Sequence, residues 1–114
     1  MHFTGLSDAT LATVQAILAS CPELETALVY GSRAKGNYKP GSDIDLTLTG
    51  AALTQDMLSH LVGQFEESNL PYQVDLSIFR DIDNPSLREH IERVGKLIYD
   101  RTGNTTEHQA GVNL

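Results

Sequence analysis

The chain has 114 residues, of which 40% are hydrophobic, enough for one domain of ordinary size with a buried core. A formal net charge of −7 argues against a broad nucleic-acid footprint, because such footprints need many basic side chains to neutralise phosphates. No apolar run approaches the roughly 20 residues of a membrane span, no signal peptide is evident, and a single cysteine, Cys21, excludes an internal disulfide. We therefore expect a cytoplasmic protein that binds neither membranes nor nucleic acid directly.

The first half of the chain predicts a helix, a strand, a short helix and a loop. Ser7 is a suitable N-cap, and the helix that follows ends at Cys21-Pro22. A short buried strand is predicted over 26–30 and a short helix over 32–35, before loop-forming residues at 37–42. The first helix carries apolar side chains at helical spacing, namely Leu11, Val14, Ile17 and Leu18.

The second half predicts strands that alternate with longer helices. Residues 43–49 alternate between polar and apolar side chains, as a strand with one buried face does, and residues 73–79 predict another strand. Thr54 caps a second long helix, and Asn84-Pro85 begins a third. The apolar stripe of the second long helix consists of Met57, Leu58, Leu61, Val62 and Phe65.

The end of the compact domain is less sharply marked. Residues 97–99 form either a last short strand or the end of the third long helix. The chain then becomes polar, which predicts a flexible C-terminal tail over 101–114. Alternation of helices and strands over 1–100 indicates one small α/β domain.

Two short motifs carry the chemistry, and ten residues separate them. Gly31-Ser32, hereafter the Gly-Ser corner, can hold phosphate, because glycine lets the backbone approach closely and Ser32 and nearby N–H groups can donate to oxygens. Arg33 and Lys35 could neutralise a pyrophosphate, or they could equally be a solvated helix face. Together with the acidic motif Asp43-x-Asp45, the corner points to chemistry on a nucleoside triphosphate.

The acidic residues suggest a metal site. Asp43 and Asp45 lie two apart on a predicted strand and so share a face, and Asp75 joins them if its strand is adjacent. Two unit charges about 4 Å apart repel by about 4 kcal/mol at an effective dielectric near 20. A bound Mg²⁺ would remove that cost, since it prefers oxygen ligands. Asp75 could also accept the proton of an attacking hydroxyl.

The same residues also allow purely structural interpretations. A Gly-Ser pair after a strand is usually a turn, and an Asp-x-Asp pair on an exposed strand is usually solvated. Cys21 is interpreted as a packing residue. The four histidines lack the spacing of metal ligands, which argues against zinc; they are His2, His60, His90 and His108.

At these residues the chain resembles the minimal nucleotidyltransferases of the DNA polymerase β-like superfamily. Gly31-Ser32, ten residues and Asp43-x-Asp45 match the motif of that family, and Asp75 matches its third carboxylate. The resemblance implies an α+β nucleotidyltransferase fold, a small mixed sheet with helices packed mainly on one face. It also implies that Asp43, Asp45 and Asp75 are catalytic and bind Mg²⁺. The nucleotide, usually ATP, would be held at positions 31, 32, 33 and 35.

Many members of this family resemble antitoxins of toxin-antitoxin systems. The resemblance therefore implies a type VII antitoxin that transfers AMP from ATP to a tyrosine of a HEPN-domain ribonuclease toxin. Two alternatives remain open: an antitoxin that masks the toxin by binding alone, and a nucleotidyltransferase acting on a small molecule such as an aminoglycoside. A homo-oligomer and a hetero-oligomer with the toxin are both compatible with the sequence.

Overall fold

A four-stranded mixed sheet organises the part of the chain that the computed structural model describes, residues 5–36, 39 and 41–102. The helices are α1 (Asp8–Ala19), α2 (Ser32–Lys35), α3 (Gln55–Glu67) and α4 (Pro85–Val94). The strands are β1 (Thr26–Tyr30), β2 (Ile44–Thr49), β3 (Val74–Ile78) and β4 (Lys96–Asp100), and a 3-10 turn spans Phe79–Asp81. The predicted α+β class is confirmed, and residues 97–99 adopt the strand alternative.

The strand order across the sheet is β3-β2-β1-β4. Strand β1 runs antiparallel to β2 and β4, whereas β2 and β3 are parallel. Parallel pairing of β2 and β3 is possible because α3 returns the chain between them to the same end of the sheet. Asp45 lies between Tyr30 on one neighbouring strand and Asp75 on the other, so these three side chains share one face of the sheet.

Helices α1 and α3 cover the opposite, apolar face of the sheet. The two helices contact each other, and they also contact β4 and β3, respectively. The alternation predicted for β2 is confirmed, since Ile44, Leu46 and Leu48 are all fully buried in this core. Further buried members come from the helices and the other strands, including Leu11, Val14, Leu18, Ala27, Val29, Leu61, Phe65 and Ile78.

The predicted N-caps of all three long helices are confirmed. Ser7 Oγ accepts from the Thr10 amide at 3.1 Å, and Thr54 Oγ1 accepts from the Met57 amide at 3.2 Å. Asn84 Oδ1 accepts from the amides of the next two helical residues, Ser86 and Leu87, at 2.9 and 3.2 Å. Each cap satisfies a backbone donor that the first helical turn would otherwise leave unpaired.

Helix α4 packs against β1 rather than joining α1 and α3. Its start is fixed by Arg88, which donates to the carbonyl oxygens of Phe79 and Ile82 at 2.9 and 3.1 Å. The Arg88 guanidinium also stacks 4.2 Å above the Phe79 ring. These contacts set the position from which α4 reaches the face of the sheet that carries Asp45.

The described chain remains anchored just after β4. The Arg101 amide donates to the Glu25 carbonyl at 2.8 Å, and its guanidinium donates to the Pro22 carbonyl at 2.8 Å. The rest of the predicted tail, from residue 103 onward, lies outside the described residues. Among the residues that are described, no helix has the length and apolar character needed to cross a membrane.

Candidate active site

The centre of the candidate site is a pair of carboxyl groups, Asp45 and Asp75, which lie side by side on β2 and β3. Burial raises the pKa of the Asp45 carboxyl, and the charges of Asp75 and Asp43 and a hydrogen bond with Asp75 raise it further. The strands of Asp45 and Asp75 are adjacent, so the condition that the sequence set for Asp75 to join the acidic residues is fulfilled. Asp43 is exposed one residue before β2 and lies within electrostatic range of Asp45.

The Gly-Ser corner lies against this pair. Gly31 has φ 75° and ψ −150°, a backbone conformation that is essentially restricted to glycine. A Cβ at this position would lie 2.5 Å from Asp45 Oδ2, so the missing side chain is what allows the corner to approach the carboxylate. Ser32 is half-buried at the start of α2, and its hydroxyl has no hydrogen-bond partner within the described ranges. The two motifs are thus in direct contact.

Arg33 and Lys35 occupy different environments. Arg33 is only 2% exposed, which excludes the alternative of a solvated helix face for this residue. Its guanidinium donates twice to the Ser42 carbonyl, at 3.2 and 3.0 Å, and lies 4.8 Å from the centre of the Tyr72 ring. Arg33 therefore links α2 to Ser42, just before Asp43, and to Tyr72, just before β3. Lys35 is exposed at the end of α2.

Hydroxyl groups continue the polar face behind the carboxyl pair. Thr47 is fully buried, and its Oγ1 accepts a hydrogen bond from Ser77 Oγ at 3.0 Å. Burial raises the pKa of the Tyr30 phenol, a hydrogen bond with Ser77 lowers it, and the charges of Asp45 and Asp75 raise it. Tyr30 and Ser77 therefore line the site. The sequence signal for Ser77 was available, because it lies two residues along its strand from Asp75.

His90 is a further site residue, and the sequence did not indicate it. Its Nε2 accepts a hydrogen bond from the Gly31 amide at 3.1 Å, and its ring meets the Tyr30 ring edge-on with centroids 6.2 Å apart. A positive charge on His90 would lower the pKa of Asp45 and so oppose the effect of burial. It lies 59 positions from Gly31, so no local pattern could have found the contact.

Features elsewhere on the molecule do not compete with this site. Cys21 is buried within the core, which confirms its interpretation as a packing residue. A groove of about 560 Å³ runs between Ile17 of α1 and Leu70 after α3, and none of the predicted site residues lines it. The acidic face of the sheet is thus where the candidate chemistry is concentrated.

Known proteins share this architecture. Residues 12–104 match the family described as Polymerase beta, Nucleotidyltransferase. Over 95 residues the chain is 34% identical to the Probable protein adenylyltransferase MntA of Haemophilus influenzae, and the match covers 80% of each chain.

Solved structures share this fold. A toxin-antitoxin complex with AMP-PNP matches with a TM-score of 0.63 at 25% identity, covering 76% of this chain and 70% of that one. The MntA-HepT toxin-antitoxin structure matches with a TM-score of 0.60 at 22% identity, covering 80% and 70%, and this likeness bears on the fold alone. The span of the family match and the identity to the Haemophilus influenzae relative establish that this chain belongs to the polymerase beta nucleotidyltransferase family.

Proposed function

We propose that this protein is a Mg²⁺-dependent adenylyltransferase that transfers AMP from ATP to a tyrosine of a HEPN-domain ribonuclease toxin. In this role it neutralises the toxin, as the antitoxin of a type VII toxin-antitoxin system. The observation that carries the proposal is the parallel register of β2 and β3, which sets Asp45 beside Asp75 and next to Gly31.

The relatives support an adenine nucleotide as the donor and a protein as the acceptor. The Haemophilus influenzae relative is named a protein adenylyltransferase, which supports AMP as the group transferred and a protein as its acceptor. The toxin-antitoxin neighbour with AMP-PNP supports an adenine nucleotide as the donor. The net charge of −7 suits a basic, RNA-binding partner, since complementary charge speeds association and excludes wrong partners.

The acidic residues fit a magnesium ion. Asp43, Asp45 and Asp75 would hold it, because they supply carboxylate oxygens and because the charges of Asp75 and Asp43 raise the pKa of Asp45. Among the described residues, no group of three or more His, Cys, Asp or Glu side chains forms a ready-made cage. An open arrangement agrees with Mg²⁺ chemistry, since this ion usually takes one or two carboxylates and completes its shell with water and phosphate oxygens. When bound, it would offset the charge that develops on the phosphates.

The protein's own groups would position the reactants and move one proton. The tyrosine hydroxyl of the toxin attacks the α-phosphorus of ATP, an O–P bond forms, the bond to the β-phosphate oxygen breaks, and pyrophosphate leaves. Asp75 is the more exposed member of the pair and accepts the hydroxyl proton. The Ser32 hydroxyl and Lys35 contact the phosphates, whereas Arg33 is buried and bonds to the Ser42 carbonyl, next to Asp43.

The test is a transfer assay with ATP labelled at the α-phosphate, Mg²⁺ and a HEPN-domain protein encoded by the neighbouring gene. We expect label on a toxin tyrosine. We expect Asp45→Asn and Asp75→Asn to lower the rate by at least about 100-fold, the scale of lost general acid–base catalysis. Asp56→Asn is the matched control, because Asp56 is exposed on α3, which packs on the other face of the sheet.

Other outcomes would select the alternatives. Full neutralisation of the toxin by Asp45→Asn without label transfer would favour an antitoxin that acts by binding. Transfer to an aminoglycoside with no protein acceptor would favour a small-molecule enzyme. Label that is transferred equally by the parent protein and by both Asp variants would contradict the role of the carboxyl pair.

A further inference from the structure

We propose that His90 is a positioning residue that fixes the Gly-Ser corner against the carboxyl pair and thereby sets nucleotide affinity. This inference rests on the proposed function for its activity readout, but its structural part can be tested without any acceptor. The observation that carries it is the hydrogen bond from the Gly31 amide to His90 Nε2, 3.1 Å long.

The contact requires one form of the imidazole. Nε2 can accept from the Gly31 amide only when it carries no proton, so the neutral ring must hold its proton on Nδ1. In that form Nε2 is already engaged and Nδ1 is a donor. His90 is therefore placed to orient the corner rather than to take the proton of the attacking hydroxyl.

Gly31 is a position where orientation matters. Gly31 adopts φ 75° and ψ −150° in the fold. Because glycine has no Cβ, its backbone can also adopt many other conformations at little steric cost. A Cβ on Gly31 would lie 2.5 Å from Asp45 Oδ2, so Gly31 is close to this carboxylate. Any rotation of the Gly31 backbone would therefore change its contact with Asp45. One hydrogen bond to the Gly31 amide thus restrains the most adaptable residue of the site.

A second contact holds His90 itself. Its ring meets the Tyr30 ring at an interplanar angle of 79° with centroids 6.2 Å apart, an edge-to-face arrangement that aromatic pairs prefer. Tyr30 immediately precedes Gly31, so α4 contacts both the last residue of β1 and the first residue of the corner. Helix α4 is fixed in turn by Arg88, whose guanidinium donates to two carbonyls of the preceding connection.

Two variants separate the two contacts. His90→Phe keeps an aromatic ring beside Tyr30 but removes the acceptor, and His90→Gln removes the ring but keeps an acceptor near the position of Nε2. Loss of one net hydrogen bond predicts a Kd for Mg·ATP that is about three- to tenfold higher in His90→Phe. We expect His90→Gln to stay within about twofold of the parent protein.

The matched control is His60→Phe, since His60 is exposed on α3, away from the site, and its ring bonds to the Gln64 side chain on the same helix. Calorimetric titration with Mg·ATP should give the parent value for this variant. In the labelled transfer assay, His90→Phe should raise KM for ATP with a smaller change in kcat. A purely structural role would lower the amount of folded protein without this split.

Nuclear magnetic resonance of the parent protein tests the structural part directly. The ¹⁵N shift of His90 should show an unprotonated Nε2, and the Gly31 amide should exchange with solvent about tenfold faster in His90→Phe, for the loss of about 1.4 kcal/mol. A proton on Nε2, or an unchanged Gly31 exchange rate in a folded His90→Phe, would overturn the inference. Failure of transfer in the parent protein would count against the proposed function alone.

Discussion

Substitution of Gly31 by alanine is the most direct test of the contact between the two motifs. The new methyl group would lie 2.5 Å from Asp45 Oδ2, about 1 Å closer than an ordinary van der Waals contact. The backbone would also have to hold a non-glycine residue at φ 75° and ψ −150°. Strain of this kind costs about 1–3 kcal/mol, and the collision forces Asp45 to move in addition.

Two other glycines in the chain separate these effects. Gly36 has φ 89° with nothing within 4 Å of a virtual Cβ, so Gly36→Ala should cost about 1 kcal/mol from backbone strain alone. Gly63 lies within α3 with open space around it, so Gly63→Ala should stabilise the protein by about 0.5–1 kcal/mol. Gly31→Ala should cost about 2–4 kcal/mol, the sum of strain and collision.

Urea unfolding of the three variants measures these differences. A loss of 1 kcal/mol lowers Tm by roughly 4–8 °C in a domain of this size, so thermal unfolding provides a second reading. Transfer activity should fall by about 100-fold in folded Gly31→Ala, because a shift of about 1 Å in a catalytic group costs that much. Equal stability of Gly31→Ala and Gly36→Ala, together with parental activity, would refute the reasoning.

Two further predictions follow from buried polar groups. Arg33→Ala should lower the free energy of unfolding, measured by urea titration, by about 2–4 kcal/mol, since it removes charge-assisted bonds to Ser42 and the contact with Tyr72. The control is Lys35→Ala on the same helix, which should change the free energy of unfolding by less than about 0.5 kcal/mol. The raised pKa of Asp45 means that folding disfavours its charged form, so in metal-free buffer containing a chelator this residue destabilises the fold above the raised pKa. Stability should therefore increase as pH falls through that pKa toward the ordinary value of 3.8, and Asp45→Asn should flatten this part of the pH profile; an identical profile in both proteins would contradict the assignment.

The elements of the fold could be predicted because each has a local physical cause. Alternation along residues 43–49 follows from the two-residue period of a strand, and the caps Ser7, Thr54 and Asn84 follow from unpaired amides at helix starts. The ambiguity at residues 97–99 had a physical basis too. A short apolar run fits a helix end and an edge strand equally well, and pairing with β1 decides between them.

The environment of Arg33 could not be predicted from the residues beside it in the sequence. Its position in a short motif between Ser32 and Lys35 allowed either phosphate contact or solvent exposure. Arg33 is only 2% exposed and donates twice to the Ser42 carbonyl, nine positions along the chain. The motif itself gives no sign of this contact, because it depends on how the residues before Asp43 pack against α2.

The sequence by itself determined which residue types stand at the chemically important positions: a glycine and a serine after one strand, and three aspartates on or just before two others. It also determined that Asp45 and Asp75 face away from the core, because apolar neighbours flank them on their strands. Tertiary structure alone decided that β2 and β3 are neighbours in parallel register, that Gly31 touches Asp45, and that His90 reaches the corner from α4. These are contacts between distant segments, and their energies depend on how whole elements pack rather than on the residues beside them in the chain.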